Sequence, residues 1–180
     1  MSDNFSRPMT SAGTPFTSDD GNLVDRGAII SAGLAGGFVG ALVIWLYEAI
    51  VWVGVQNMMP LAGIPRNATG LVFGRAVQDG LGAGSYVVGT TIHFVFALAW
   101  GVLFAFMWPG LRRRGIEASL AAMFYAVFAW IVMHVAIAVV SSNHPNYLDP
   151  NVVIGGFISH LFFTVPLALV IKQRLSGRIA

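Results

Sequence analysis

The stretch GAIISAGLAGGFVGALVIWLYEAIVWV, residues 27–53, decides the fold class of this chain. Glu48 is its one charged residue, and as an α-helix the stretch is long enough to cross a hydrocarbon layer of about 30 Å. Because lipid offers the backbone no hydrogen-bond partners, a chain segment inside it must bond to itself along a continuous helix. Residues 27–53 are therefore predicted to form a transmembrane helix.

Three further apolar segments predict three more membrane-spanning helices. The four helices are placed at about residues 27–53, 86–108, 117–140 and 151–171. The chain of 180 residues is 56% hydrophobic and 10% charged, whereas soluble domains carry about 25% charged residues. The predicted fold is thus an all-α integral membrane four-helix bundle that forms one domain, residues 23–180. A disordered cytoplasmic tail, residues 1–22, is predicted to precede it.

The basic residues predict the orientation of the bundle. Three arginines follow the second apolar segment at positions 112–114, and three cations follow the fourth within residues 172–178. The loop between the third and fourth segments has neither Lys nor Arg, so the positive-inside rule places both termini in the cytoplasm (N-in, C-in). Arg66 and Arg75 of the first outer loop run against this orientation but are outnumbered. The stretch LVFGRAVQDGLG in that loop, residues 71–82, predicts a short interfacial helix.

Small and aromatic residues predict how the helices pack. Small residues recur at spacing four in the first and second segments, which favours close helix approach within the chain. They are Gly33, Gly36, Gly37 and Gly40 in the first segment and Ala97, Gly101 and Ala105 in the second. Trp52 and Trp108 lie near segment ends and are predicted to be interfacial anchors. Trp45 is interpreted as a core residue, with a place in the wall of a site as the alternative.

Four ionisable side chains lie within the predicted membrane segments, one on each helix: Glu48, His93, His134 and His160. Counted at about 1.5 Å per residue, all four lie about 8 to 14 Å from the outer ends of their helices. Ionisable groups are costly in lipid and indicate a functional site by default. We therefore predict that the four side chains converge on one site in the outer leaflet.

Three imidazoles and one carboxylate suit several kinds of site. They could coordinate one transition metal ion such as Zn²⁺ or Fe²⁺. They could relay or sense protons, two of the histidines could hold a haem, or the cluster could merely fix helix register. The sequence leaves these alternatives open.

The sequence also limits the other classes of function. With no cysteine, disulfides and thiolate chemistry are excluded. The sequence shows no nucleophile–base pair and no phosphate-binding loop, so nothing supports an enzyme, and nothing indicates nucleic acid. The predicted partner is the lipid bilayer. A homo-oligomer, or a structural or accessory role in a larger membrane complex, stays open.

Four segments that contain the polar residues resemble the helices of a known protein family. The segment GLAGGFVGALVIWLYE, residues 33–48, resembles the first helix of YagU-like bacterial inner-membrane proteins, a Gly-rich helix that ends in a Trp and, three residues later, a Glu. The segments IHFVFALAWGVLFA, WIVMHVAI and ISHLFFTVPLALVIKQRLSGRI resemble the other helices, with matches at His93, His134 and His160. The resemblance covers residues 27–179 and implies a multi-pass inner-membrane location and an association with acid tolerance, without a reaction. Gly156 stands where a relative has an acidic residue.

Overall fold

The computed structural model describes residues 16–17, 23–140 and 146–176. Most of the predicted tail, residues 1–22, lies outside the described residues. Its described part, β1 (Phe16–Thr17), pairs antiparallel with β2 (Leu23–Val24). The helical part of the chain follows directly, because the Asp25 side chain accepts a hydrogen bond from the amide of Gly27 and caps the first helix.

The described residues contain four helices that are long and apolar enough to cross a membrane, as the sequence predicts. They are α1 (Arg26–Glu48), α4 (Gly84–Arg113), α5 (Ala118–Val140) and α6 (Pro150–Ser176). α4 and α6 run several residues beyond the predicted apolar limits at the end that carries Arg112 and Arg174, because a helix needs backbone hydrogen bonds rather than hydrophobic side chains to continue. At its other end α1 continues as a π-helix, Ala49–Val55.

α1 is the central helix because glycines on one of its faces allow close contact with α4. A Cβ atom at Gly33 would lie 2.5 Å from the Cα of Val102, and one at Gly37 would lie 2.5 Å from the carbonyl oxygen of Ala97. The facing Gly101 is equally restricted, since its Cβ would lie 2.3 Å from the carbonyl oxygen of Gly33. The predicted small-residue stripes therefore pack against each other within the chain.

A second pair of glycines packs α1 against α6. A Cβ at Gly36 would lie 2.8 Å from the carbonyl oxygen of Leu167, and one at Gly40 would lie 2.7 Å from that of Phe163. α5 packs mainly on α6, and it meets α4 chiefly through large side chains such as Trp100 and Tyr125 rather than through close backbone contact. The helices thus follow the order α4, α1, α6, α5 around the bundle, and the α4–α5 side is the least closed.

The bundle differs between its two ends. Where α1 and α5 begin and α4 and α6 end, the interior is filled by fully buried large side chains; we call this the basic half. They are Phe104, Leu167, Ile171 and Leu175. Trp108 also belongs here, because it is only 2% exposed and stacks on Phe104. The prediction that Trp108 is an interfacial anchor is therefore wrong: its indole fills the gap between helices.

The other half of the bundle, which we call the cavity half, is covered by two short helices. They are α2 (Gly63–Phe73) and α3 (Arg75–Gly80), so the helix predicted within residues 71–82 is present but begins earlier and is broken at Gly74. α2 packs on α4 where Gly89 lets the Pro65 carbonyl approach. The Thr69 hydroxyl donates to the Ser85 carbonyl at 2.6 Å.

Charge is distributed unequally between the two ends of the described bundle. At the end of the basic half, six cations outnumber two carboxylates: Arg26, Arg112, Arg113, Arg114, Lys172 and Arg174 against Asp25 and Glu117. At the opposite end, two arginines are balanced by Asp79 and Asp149. Arg66, which runs against the predicted orientation, forms a salt bridge with Asp79 at 3.0 Å.

Candidate functional site

The cavity half encloses a space of about 560 Å³ between α1, α4, α5 and α6, beneath α2. All four predicted site residues line it: Glu48, His93, His134 and His160. Each comes from a different long helix, as their spacing in the sequence predicts. The four side chains therefore share one cavity.

His134 and His160 form a pair within this cavity. Their ring centroids lie 5.8 Å apart. The Nδ1 atom of His134 lies 2.7 Å from the carbonyl oxygen of Trp130, and that of His160 lies 2.7 Å from the carbonyl oxygen of Gly156. A carbonyl only accepts hydrogen bonds, so Nδ1 carries the proton in both rings. When neutral, each ring therefore has Nε2 as an acceptor, and no described residue donates to either atom.

His93 has the opposite tautomer. Its Nε2 atom donates to the carbonyl oxygen of Ala41 at 3.1 Å, which links α4 to α1 and leaves Nδ1 as the acceptor of the neutral ring. The Phe94 ring packs edge-on against the imidazole at 5.5 Å between centroids. His93 is thus held by another helix, whereas His134 and His160 each bond to the preceding turn of their own helix.

Glu48 is the last residue of α1 and lines the cavity just before the π-helix begins. Within the described part of the chain its carboxyl group takes part in no hydrogen bond or salt bridge. The neighbouring Tyr47 stacks on Phe162 at 4.5 Å between centroids and so ties this end of α1 to α6. The carboxyl group is thus positioned by its helix rather than by a polar partner.

The four residues are not arranged as a closed metal site. Within residues 16–17, 23–140 and 146–176, no group of three His, Asp or Glu side chains is close enough to hold one ion. The predicted coordination of Zn²⁺ or Fe²⁺ by Glu48, His93, His134 and His160 stays a prediction. An ion bound by His134 and His160 would need ligands from solvent or a movement of the other two side chains.

The wall of the cavity is mostly apolar, and it includes aromatic and thioether side chains. Trp45 lines it and is 37% exposed, so the alternative interpretation of Trp45 is right and its placement in the core is wrong. Trp52, predicted to be an interfacial anchor, also lines the cavity, because the π-helix changes the direction in which residues after Glu48 face. Met58 and Met59 of the following loop contribute from above.

Two glycines of α6 leave room for ring nitrogens beside the cavity. A Cβ at Gly155 would lie 3.4 Å from Nε1 of Trp52. A Cβ at Gly156 would lie 3.3 Å from Nε1 of Trp130 and 3.5 Å from Nε2 of His134. The glycine at position 156 therefore leaves space next to the imidazole of His134.

The cavity rim carries polar groups from outside the long helices. Arg75 lines the rim, is exposed and has no salt bridge to any described residue. The Tyr147 hydroxyl donates to the carbonyl oxygen of His134 at 3.4 Å, and partial burial raises the pKa of this phenol above its ordinary value of 10.0. Tyr147 is therefore a neutral donor beside the site at neutral pH. His144, in the same loop, lies outside the described residues.

Sequence reasoning found the four polar residues but missed Trp52, the α2 cover and Arg75. A π-helix has no reliable sequence signature, and the helix predicted in the first outer loop covers only residues 71–82, so the first part of α2 is not predicted. Comparison of the chain with protein families, with curated proteins and with solved structures gave no match. Function must therefore be argued from the site.

Proposed function

We propose that this is a small bacterial inner-membrane protein whose Glu48–histidine cluster responds to protons. The observation that carries the proposal is the pair of free acceptor atoms, Nε2 of His134 and of His160, in one cavity with the carboxyl group of Glu48. An acceptor atom to which no group donates gains a partner when it binds a proton or a cation. The proposal agrees with the acid tolerance that the resemblance to YagU-like proteins implies.

The proton response has a direct physical consequence. When His134 or His160 gains a proton, Nε2 changes from an acceptor to a donor, and the new charge attracts the carboxylate of Glu48. Because the two rings are neighbours, protonation of one opposes protonation of the other, so they titrate as a coupled pair. A fall in pH would thus draw α1, α5 and α6 together around the cavity.

A transition metal ion is the second candidate for the same site. Histidines that bind metals usually donate their other ring N–H to a carbonyl or carboxylate, which fixes the ring and the tautomer. His134 and His160 have this arrangement through Trp130 and Gly156. In this alternative Nε2 of each histidine binds the ion, and Glu48 supplies a charged ligand.

Histidine NMR in nanodiscs separates the two candidates. In the proton-responsive protein the ring signals of His134 and His160 move together as pH falls, and Glu48→Gln shifts their titration. Glu117→Gln is the matched control, because Glu117 is exposed at the basic end. The proposal would be contradicted if Glu48→Gln left the titration curves of both rings unchanged. About one metal ion per chain, lost in His134→Ala, would favour the metal site, and a visible spectrum would reveal haem.

We also propose that the basic end faces the cytoplasm, with N-in and C-in topology. The excess of cations at that end supports it through the positive-inside rule, and the Arg66–Asp79 salt bridge removes one of the two opposing charges. The chain has no cysteine, so single-cysteine variants are specific. Ser142→Cys should react with an impermeant thiol reagent from the periplasmic side, and Ser176→Cys should not. The reverse labelling would overturn the orientation.

A further inference from the structure

We infer that the cavity binds a lipid-soluble aromatic alcohol, a phenol or hydroquinone, whose O–H group donates to the free Nε2 atom of His134 or His160. The inference rests on the neutral, accepting histidines of the proposed function. It does not require that they respond to pH, so the two can fail separately.

The size of the cavity indicates a molecule rather than an ion. Its volume of about 560 Å³ lies within the range of about 300 to 1,000 Å³ that is typical of small-molecule sites. A proton needs no such space, and a metal ion with its ligands fills only a small part of it. The large remaining volume suits an aromatic ring with an attached alkyl chain.

The cavity wall favours a ring as the ligand. Trp45, Trp52 and Trp100 come from three parts of the fold and present aromatic surface to the same space. Aromatic rings gain from stacked or edge-on contact with one another beyond the area that they bury. Met58 and Met59 add flexible thioethers, which adapt to the shape of a ligand.

The hydrogen-bonding groups favour a hydroxyl on that ring. The free ring nitrogens of His134 and His160 are acceptors, and no described residue donates to them. An acyl chain would leave both unpaired in an apolar space, which is unfavourable. A carbonyl compound offers further acceptors and cannot bond to them. A phenolic O–H group supplies the missing donor.

The cavity is accessible from the sides of the bundle. The backbones of α4 and α5 approach each other closely at few positions, so side chains rather than backbone cover the cavity on this side. Phe96 of α4 lines the cavity and remains 42% exposed. Since the cavity lies along helices that are long enough to span the membrane, a ligand dissolved in lipid can reach it without crossing water.

Calorimetry of the wild-type protein tests the inference with two probes that differ in one donor. Para-nonylphenol carries the O–H group, and para-nonylanisole replaces it with a methyl ether. Both are titrated into protein in nanodiscs at about pH 8, where ordinary histidines are neutral, and empty nanodiscs supply the partition background. We expect the phenol to bind about tenfold more tightly than the ether, the change that one hydrogen bond of ordinary strength produces.

Variants of the protein test whether the proposed contacts cause the difference in affinity between the phenol and the ether. His134→Phe with His160→Phe keeps two rings but removes both acceptors, so the preference for the phenol should disappear. Ala136→Phe should weaken binding of both probes because Ala136 lines the cavity. Both alanines are exposed on α5, but Ala138 lies outside the lining, so Ala138→Phe is the matched control. If the histidine variants do not fold, the two alanine variants still locate the binding.

Equal affinity for phenol and ether would overturn the inference and indicate an acyl chain or another apolar occupant. Absence of binding for both probes would overturn it as well, as would equal affinity of Ala136→Phe and Ala138→Phe. The proposed function is tested separately, by the histidine titration without any probe. If Glu48→Gln shifts the histidine titration but the protein shows no preference for the phenol over the ether, the proposed proton response is supported and the proposed ligand is rejected.

Discussion

The two halves of the bundle are built from the same four helices but use opposite packing. In the basic half, large side chains such as Phe104 and Leu167 fill the interior and are fully buried. In the cavity half, the fully buried side chains are small, among them Ala129, Ser85 and Ser159, and a space of about 560 Å³ remains. The filled interior and the cavity thus lie at opposite ends of the same bundle.

Hydrogen bonds between helices occur in both halves. In the basic half, the Tyr125 hydroxyl donates to the Trp100 carbonyl at 2.7 Å, and the Thr164 hydroxyl donates to the Ala122 carbonyl at 3.0 Å. These bonds link different helices. In the cavity half, His93 bonds to the Ala41 carbonyl of α1, whereas His134 and His160 bond to their own helices, which keeps each of these two rings in place without closing the space between helices. The four predictions below test the difference in packing between the two halves.

The largest effect is expected at the contact between α1 and α4. Gly37→Leu should prevent stable packing of the bundle, because even a Cβ atom at this position would lie 2.5 Å from the Ala97 carbonyl oxygen. The loss should exceed the roughly 1–3 kcal/mol typical of overpacked cores, since backbone rather than side chain must move. Thermal unfolding in detergent measures it. Gly110→Leu is the control, because nothing lies within 4 Å of its Cβ position; equal melting temperatures for the two variants would contradict the packing.

A truncation in each half compares them directly. Leu167→Ala in the basic half should cost about 2–5 kcal/mol of unfolding free energy, because Leu167 is fully buried in a filled interior. Ile137→Ala in the cavity half should cost much less, since the side chain already borders empty space. Unfolding in nanodiscs by denaturant provides both values. If the two truncations cost the same, the halves do not differ in packing.

We expect the side chain of Glu48 to lower the free energy of unfolding of the protein. Within the described chain its carboxyl group has no hydrogen-bond partner, so Glu48→Leu should raise the free energy of unfolding by about 0.5–2 kcal/mol. The same substitution should shift the titration of His134 and His160, as Glu48→Gln does. If the melting temperature of Glu48→Leu lies below that of the wild-type protein, Glu48 has a structural partner and its carboxyl group contributes to stability.

The smallest effect is expected at the surface of the basic half. The Lys172 ammonium and the Ser119 hydroxyl and amide donate to Glu117, and they lower the pKa of its carboxyl group from 4.5 to about 2. A lowered pKa stabilises the folded state above the unfolded value, and the contribution is lost as pH falls from about 4.5 towards 2. The melting temperature of Glu117→Gln should lie slightly below wild type at neutral pH. The difference should vanish below about pH 2; a difference independent of pH would contradict this account.

Much of the fold follows from the sequence because lipid restricts the backbone so strongly. Three local features carry this information. Apolar stretches predict helices, the arginines at 112–114 predict orientation, and the glycines of the first stretch predict close helix packing. The four ionisable residues were also predictable as a set. Their cost in lipid requires a shared interior, and depth along a helix can be counted from the sequence.

The errors of the sequence interpretation concern direction rather than depth. Trp108 and Trp52 both lie near segment ends, yet one fills the basic half and the other lines the cavity. Which way a side chain faces depends on helix rotation, and rotation is set by contacts such as that between Gly37 and Ala97. The π-helix also changes the direction in which the side chain of Trp52 points, and the α-helical period of the sequence does not reveal this change.

The sequence by itself determined four helices long enough to cross a membrane, and the grouping of Glu48, His93, His134 and His160 in one half of the bundle, because hydrophobicity and rise per residue act locally. Only the tertiary structure decided that α5 packs on α6 rather than α4, and that a cavity rather than a filled core surrounds the four residues. It also decided the tautomers of the histidines, through the carbonyl groups that their rings reach. These properties depend on how side chains of distant segments fit together, and no local pattern encodes that fit.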